Sequence, residues 1–137
     1  MTKPLFHFDT SYESLPSIFY KKVGLHPVSH PRLVYLNDAL AQALGLDAQR
    51  LEREALPVFA GNSFPENASA IAQAYMGHQF GHLTMLGDGR AVLVGEQVTP
   101  EGNRVDIQLK GSGRTPFSRG GDGRATLYYM LKEYLFS

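Results

Sequence analysis

The stretch Leu86–Gly113, LGDGRAVLVGEQVTPEGNRVDIQLKGSG, decides the fold. It begins with a glycine turn at Gly87–Arg90 and continues as an alternating apolar run, AVLVGEQV. The segment TPEGN then supplies a proline and a glycine for a hairpin turn, and the run RVDIQLK returns with the same alternation. Because an alternation of period two is typical of strands, the stretch predicts a strand at 91–98 and an antiparallel partner at 104–110.

Glycine clusters that bind phosphates follow three schemes, and the spacing in this chain distinguishes them. A dinucleotide fingerprint requires a third glycine and a helix directly after it, but Val92 occupies that position and a strand follows. A Walker loop requires Gly-Lys-Ser/Thr at the start of a helix, whereas Lys110 precedes its glycines. In the N-lobe of a protein kinase, a glycine turn covers the phosphates, and a lysine on the third strand pairs with a helix glutamate. Gly87–Arg90, Lys110 and Glu133 follow this order.

Lys110 ends the second predicted strand of the hairpin. The alternation places it with Asp106 and Gln108 on the polar face, from which it would project into a cleft. A lysine is a mobile point charge, so the carboxylate of Glu133 would keep it aimed. Each feature also has an ordinary alternative, because strand-end lysines and helix glutamates commonly face solvent and the glycine pair of a hairpin is commonly only a turn.

The segment 111–124, GSGRTPFSRGGDGR, is predicted to be a loop because glycines interrupt it throughout. Its one acidic residue is Asp122, and its basic residues are Arg114, Arg119 and Arg124. Basic side chains on a glycine-rich loop suit a polyphosphate, and a solvated basic loop is the alternative. Glycine imposes little order of its own, so we expect the loop to be mobile when no ligand holds it.

The chain before the glycine turn is predicted to be mainly helical. LNDALAQALGLD predicts a short helix with Asn37 as its N-cap, and DAQRLEREAL predicts a second helix that Asp47 caps and that ends before Pro57. The alanine-rich segment PENASAIAQAYMGHQFG predicts a third helix that ends near Gly77, and HLTML predicts a strand at 82–86.

These elements together predict an α+β fold in which helices precede an antiparallel sheet. Residues 1–80 form an N-terminal extension, whose first 35 residues are an irregular arm rich in aromatics and prolines. Residues 81–137 form the sheet, the basic loop and a final helix at 125–136. Because no glycine, proline or basic last turn ends that helix, we expect the chain to be cut short within it.

Bulk composition narrows the possible partners. The chain has 137 residues with 13 basic and 13 acidic side chains, so no net charge directs it to nucleic acid. It has no apolar run of the roughly 20 residues that cross a bilayer, and because MTKPLFHFDTSYESLP has neither an apolar core nor an arginine-rich composition, we expect no signal or transit sequence. The lack of cysteine excludes disulfides and suits a cytoplasmic protein. His78 and His82 have the spacing of a zinc helix, but neighbouring glycines interrupt that helix, so we expect no metal site there.

Three blocks of the sequence closely resemble the selenoprotein O family: AQAYMGHQFGHLTMLGDGRAVLVGEQ, DIQLKGSGRTPFSRGGDGRA and the final LKEYL. The likeness runs from about Phe8 to the end of the chain, and GHQFG, LGDGRA and SRGGDGRA are its most specific motifs. It implies a protein-kinase-like fold and the transfer of AMP from ATP to hydroxyl side chains of proteins, with ATP inverted relative to ordinary kinases. The chain would then be the N-terminal extension and most of the N-lobe of such an enzyme.

The resemblance also implies roles for individual residues. The positions that match the family's nucleotide contacts are Gly87, Gly89, Arg90, Lys110, Asp122 and Gly123. Glu133 matches the glutamate that pairs with the phosphate-binding lysine. The family's catalytic aspartate and the ligands of its Mg²⁺ or Mn²⁺ would lie downstream of Ser137. We therefore expect neither a catalytic nor a metal-binding residue in this chain, and no activity from it alone.

The resemblance implies ATP and protein substrates as partners, with no nucleic acid and no membrane. An N-lobe without its second lobe would expose apolar surface, so we also expect the chain to self-associate. Two other functions stay open. One is a non-catalytic nucleotide-binding pseudokinase module, and the other is an ordinary phosphotransferase.

Overall fold

The computed structural model describes residues 3–78 and 80–137. Within them the strands and α-helices are β1 (Phe8–Asp9), β2 (Tyr20–Lys22), α1 (Asp38–Ala43), α2 (Ala48–Glu54), α3 (Leu56–Phe59), β3 (Ile71–Gln73), β4 (Ala91–Val98), β5 (Arg104–Lys110) and α4 (Leu127–Phe136). Two short 3-10 helices, Ser11–Ser14 and Ser17–Phe19, connect β1 with β2. Across 3–78 and 80–137, no helix combines the length and apolar character that crossing a bilayer requires.

β4 is the central strand of one antiparallel sheet. It pairs with β5 along its whole length, from Ala91 opposite Lys110 to Val98 opposite Arg104. β4 also pairs with β1 and β3, and β3 pairs in turn with β2. The predicted antiparallel hairpin is therefore confirmed, and the protein combines α-helices with a five-stranded antiparallel sheet.

Gly95 allows the N-terminal arm to reach this sheet. The β4–β5 register shifts between Leu93 and Gly95, and a Cβ on Gly95 would lie only 2.6 Å from Cγ of Phe8. The Phe8 ring thus fills the space that a side chain would need, and it stacks on Phe6 with ring centroids 4.9 Å apart. These aromatic rings pack the arm against the sheet, and the arm is more regular than predicted because β1 and β2 both join the sheet.

The hydrophobic core lies between the α1–α3 segment and the β4–β5 hairpin. Its buried members are Phe6, Ala41, Leu44, Leu46, Leu51, Ala55, Val58, Val92, Val94 and Leu109. Burying a leucine- or valine-sized side chain contributes about 1.5–3 kcal/mol, so this layer is the main source of stability. The fully buried Gln97 is satisfied inside the protein. Its Oε1 accepts the N–H of His7 at 3.0 Å, and its Nε2 donates to the carbonyl oxygen of Leu44 at 3.3 Å.

Both predicted helix caps are confirmed. The Asn37 side chain accepts the N–H of Leu40, and the Asp47 side chain accepts the N–H of Arg50, each at 3.0 Å. α2 ends at Glu54, before Pro57, as predicted. The chain then continues as the short helix α3, which tolerates Pro57 because the missing N–H falls in the first turn.

The predicted third helix is wrong. Ile71–Gln73 is instead strand β3, where Ile71 lies opposite Leu93, and the N–H of Ser69 donates to the carbonyl oxygen of Val94 at 2.7 Å. Alanine has the highest helix propensity, but tertiary contacts commonly override propensity, and the small side chain of the fully buried Ala72 also fits between two strands. Pairing within the sheet therefore overrides local propensity. Gln79, which also belongs to the quoted segment, lies outside the described residues.

The predicted strand at 82–86 is also wrong. The segment returns towards β3 through an isolated bridge between Gly77 and Thr84, and Leu83 and Met85 are exposed. Without a buried apolar face, alternation in HLTML does not produce a strand. The strands of the sheet come from both sides of residue 80, and the division of the chain there stays a prediction.

Candidate functional site

A cavity of about 640 Å³ opens between the glycine turn, the end of β5, the loop at 111–124 and α4. Its lining includes Glu133 and all the positions that match the family's nucleotide contacts: Gly87, Gly89, Arg90, Lys110, Asp122 and Gly123. The antiparallel hairpin explains this convergence, because it returns Lys110 to a position opposite Ala91, directly after the glycine turn.

The glycine turn is anchored to β3 through Asp88. The N–H of Asp88 donates to the carbonyl oxygen of Gln73, and a carboxylate oxygen of Asp88 accepts the N–H of Gln73, both at 2.9 Å. Asp88 is buried, and the hydrogen bond that its carboxylate accepts from Gln73 offsets part of the cost of burying a charged group. Gly87 has a φ of +58° and its N–H donates to the carbonyl oxygen of Tyr75 at 3.2 Å.

Packing within the protein leaves little room for a side chain at either glycine of the turn, and least at Gly87. A Cβ on Gly87 would lie 2.8 Å from the carbonyl oxygen of Gln73 and 2.9 Å from the ring of Phe117. A Cβ on Gly89 would lie 3.2 Å from the carbonyl oxygen of Phe117. The absent side chains therefore make room for β3 and for the loop at 111–124.

Lys110 and Glu133 form an ion pair across the cavity. The Nζ of Lys110 lies 2.7 Å from each carboxylate oxygen of Glu133. The two side chains are 41% and 53% exposed, so water screens the pair and an incoming anion can reach the ammonium group. All ten residues of α4 are exposed or half-buried, and its contact with the arm includes the rings of Tyr134 and Tyr35, whose centroids are 5.0 Å apart.

The loop at 111–124 is closed on itself by its glycines and by Arg124. A Cβ on Gly123 would lie 1.9 Å from the carbonyl oxygen of Gly113, so no other residue fits there without movement of the backbone. The guanidinium of Arg124 donates to the carbonyl oxygens of Ser112 at 2.7 Å and His26 at 2.8 Å. These contacts tie down both ends of a loop that the sequence predicts to be mobile.

The three arginines of this loop differ in what they can offer a ligand. In the described part of the chain, Arg119 and Arg124 line the cavity and Arg114 does not. Since Arg124 already holds two carbonyl groups, Arg119 is the loop arginine with a guanidinium available to an anion. It is also one of the few non-glycine residues with positive φ, at +51°.

Sequence reasoning missed several residues of the site. Tyr75 lines the cavity, and burial, followed by the nearby charge of Asp88, raises the pKa of its hydroxyl group. It escaped notice because it lies in the segment predicted to be a helix. Thr115 and Ser118 contact the glycine turn through their hydroxyl groups. Their spacing within TPFS is typical of a local hydroxyl turn and is the one signal that could have drawn attention to them.

The described residues do not fit a metal ion. In 3–78 and 80–137 no three histidine or acidic side chains come together in a way that could hold one. At the cavity, a carboxylate oxygen of Asp122 accepts the N–H of Arg124 at 2.9 Å, and the carboxylate of Glu133 is engaged by Lys110. What the cavity offers is a set of donors for an anion, namely Arg90, Lys110, Arg119 and backbone N–H groups.

Comparison with known proteins identifies the family to which the chain belongs. The sequence profile of the family described as protein adenylyltransferase SelO matches residues 4–137. The protein nucleotidyltransferase YdiU of Shouchella clausii is 61% identical over 132 residues, which are 96% of this chain and 27% of that protein. The YdiU protein of Brevibacillus brevis is 57% identical over 136 residues, 98% of this chain and 28% of its own length. This chain thus spans little more than a quarter of the curated relatives it matches, and it belongs to the SelO family of protein adenylyltransferases.

Proposed function

We propose that this chain is the ATP-binding, N-terminal part of a protein adenylyltransferase that transfers AMP from ATP to serine, threonine or tyrosine hydroxyls of proteins. The observation that carries the proposal is the convergence of the glycine turn, Lys110 and the Asp122–Gly123 pair on one cavity, in a chain of this family. The arrangement of a glycine turn, a strand lysine and a helix glutamate also supports an N-lobe like that of protein kinases.

The chain's own residues would bind and orient the triphosphate. Lys110 supplies a positive charge at the cavity. Glu133 holds this charge in place, because each of its carboxylate oxygens lies 2.7 Å from the Nζ of Lys110. Arg90 and Arg119 add two further cations at the cavity wall. Such groups bind phosphate oxygens through charge-assisted hydrogen bonds, which are about twice as strong as neutral ones.

The transfer step would need more than these residues supply. A protein hydroxyl attacks the α-phosphorus of ATP, the bond to the β-phosphate breaks, and pyrophosphate leaves. We propose that the general base for the hydroxyl proton and the ligands of Mg²⁺ or Mn²⁺ come from residues downstream of Ser137 in the full-length protein. The 137-residue chain alone would then bind nucleotide without transferring AMP.

Labelled nucleotides test the proposal. The full-length protein is incubated with a generic protein acceptor and Mg²⁺ or Mn²⁺, with ATP labelled at either the α- or the γ-phosphate. We expect the acceptor to take up the α label and not the γ label. Uptake of the γ label would indicate a phosphotransferase. ATP binding with uptake of neither label would indicate a non-catalytic nucleotide-binding module.

A further inference from the structure

Two hydroxyl groups of the loop at 111–124 hold the glycine turn. Oγ1 of the buried Thr115 donates to the carbonyl oxygen of Asp88, and Oγ of Ser118 donates to the carbonyl oxygen of Gly89 at 2.6 Å. Each hydroxyl oxygen also accepts a backbone N–H. Thr115 accepts that of Phe117 at 3.1 Å, and Ser118 accepts that of Thr115 at 2.8 Å. Because a carbonyl oxygen can only accept a hydrogen bond, each hydroxyl group is the donor in its contact with the glycine turn.

These contacts fix the direction of two N–H groups. Every peptide bond in the described chain is trans, so the C=O and N–H of one peptide unit point in opposite directions. The carbonyl of Asp88 points to Thr115, and the N–H of Gly89 therefore points away from Thr115. In the same way, the N–H of Arg90 points away from Ser118.

The same two N–H groups have no acceptor among the described residues. The N–H groups of Gly87 and Asp88, by contrast, donate to the carbonyl oxygens of Tyr75 and Gln73 in the anchor to β3. Gly89 and Arg90 both line the cavity. Neighbouring unpaired backbone N–H groups are the arrangement that binds anionic oxygens in phosphate sites.

We propose that Thr115 and Ser118 are positioning residues, which aim the N–H groups of Gly89 and Arg90 at a phosphate group of the bound nucleotide. This inference rests on the proposed function and extends it from residues that touch the phosphates to residues that orient them. It gives the hydroxyl groups of Thr115 and Ser118 a role separate from that of Arg119, Asp122 and Gly123, which line the cavity. The close approach of Phe117 to Gly87 and Gly89 presses this segment against the turn.

The test uses variants of the full-length protein that separate the hydroxyl group from the shape of the side chain. Thr115→Val removes the hydroxyl group and keeps the shape, Thr115→Ser keeps the hydroxyl group, and Ser118→Ala removes the second one. Thr99→Val is the matched control, because Thr99 is equally buried and its Oγ1 accepts the N–H of Asn103 at the opposite end of the β4–β5 hairpin.

Isothermal titration calorimetry with ATP, inorganic triphosphate and adenosine gives the readout. We expect Thr115→Val and Ser118→Ala each to weaken ATP and triphosphate binding by about three- to tenfold, the range for losing one hydrogen bond. Adenosine binding should be unchanged, because adenosine has no phosphate for the N–H groups to hold. Thr115→Ser should bind within about twofold of the wild type. Thr99→Val should lower Tm without changing any Kd.

The outcomes separate this inference from the proposed function. If Thr115→Val and Ser118→Ala bind triphosphate like the wild type, the positioning role is wrong and the proposed function stands. The positioning role is also wrong if these two variants weaken adenosine binding as much as triphosphate binding, or if Thr99→Val weakens triphosphate binding as much as they do. If the wild type binds neither ATP nor triphosphate, the proposed function fails and this inference fails with it. Should Thr115→Val not fold, Ser118→Ala alone decides between these results.

Discussion

Replacing Lys110 by alanine in the full-length protein removes the cation that the structure holds at the cavity. The substitution leaves the carboxylate of Glu133 without its partner, 2.7 Å from where the ammonium group was. An unpaired carboxylate at this position repels phosphate as well as failing to attract it. We therefore expect Lys110→Ala to impair AMP transfer more than folding.

The structure sets the size of both effects. Losing a charge-assisted contact to a phosphate costs roughly 1.5–3 kcal/mol. Since each 1.36 kcal/mol of barrier corresponds to a factor of ten in rate, AMP transfer should fall by about ten- to a hundredfold. The Lys110 and Glu133 side chains are 41% and 53% exposed, and an ion pair so open to water contributes only about 0–1 kcal/mol to stability. Tm should change little.

The assay measures label transfer from α-labelled ATP to a generic protein acceptor with Mg²⁺ or Mn²⁺, at several ATP concentrations. Lys132→Ala is the control, because Lys132 is an exposed lysine of α4, the helix that carries Glu133, and lies outside the described cavity lining. It removes the same charge and should keep wild-type activity. If Lys110→Ala transferred AMP as fast as the wild type, Lys110 would be an ordinary strand-end lysine and the phosphate-binding assignment would be wrong.

Three further predictions concern the 137-residue chain. Gly123→Ala should lower the free energy of unfolding in urea by about 2–5 kcal/mol, because a Cβ there meets the backbone of Gly113. Gly120 has a similarly positive φ but lies in open space, so Gly120→Ala should cost only about 1 kcal/mol. Equal losses in the two variants would contradict the packing argument. The hydrogen bond from Arg104, followed by that from the N–H of Thr10, lowers the pKa of Asp9, so this contact stabilises the fold above the unfolded pKa of about 3.9 and is lost as the pH falls through the folded pKa. In an NMR titration Arg104→Gln should raise the pKa of Asp9 towards that value, and an unchanged pKa would show that Arg104 is not the cause. Light scattering should detect self-association of the chain, because Leu135 and Phe136 of α4 are 74% and 82% exposed, and a monodisperse monomer would refute it.

The elements that could be predicted from the sequence are those whose signals are local. The alternation of β4 and β5, the caps at Asn37 and Asp47, and the final helix depend on residues close to one another along the chain. The order of glycine turn, lysine and helix glutamate could also be recognised in the sequence, and the structure brings all these residues to one cavity. The antiparallel return of β5 is the geometric reason, since register along a hairpin follows from its turn.

The failures share a physical cause, which is that distant parts of the chain decide the outcome. Nothing local in SAIAQA predicts that Ile71 will pair with Leu93, or that Ala72 will be buried between strands. The short β1 is likewise held by Phe8 in the space left by Gly95, a contact between residues far apart in the sequence. Propensity and periodicity are weak where such pairing overrides them.

The glycine turn shows how motif and loop depend on each other. From the sequence, its glycines are explained by the approach of a phosphate to the backbone, with no Cβ in the way. In the structure, the positions that side chains would occupy at Gly87 and Gly89 are taken by Phe117 and by the carbonyl oxygen of Gln73. The glycines thus allow the loop to pack on the turn, and this packing places the hydroxyl groups of Thr115 and Ser118 against its carbonyl groups. If the turn binds an anion as we propose, it depends on both segments, because the loop holds the peptide units whose N–H groups have no acceptor among residues 3–78 and 80–137.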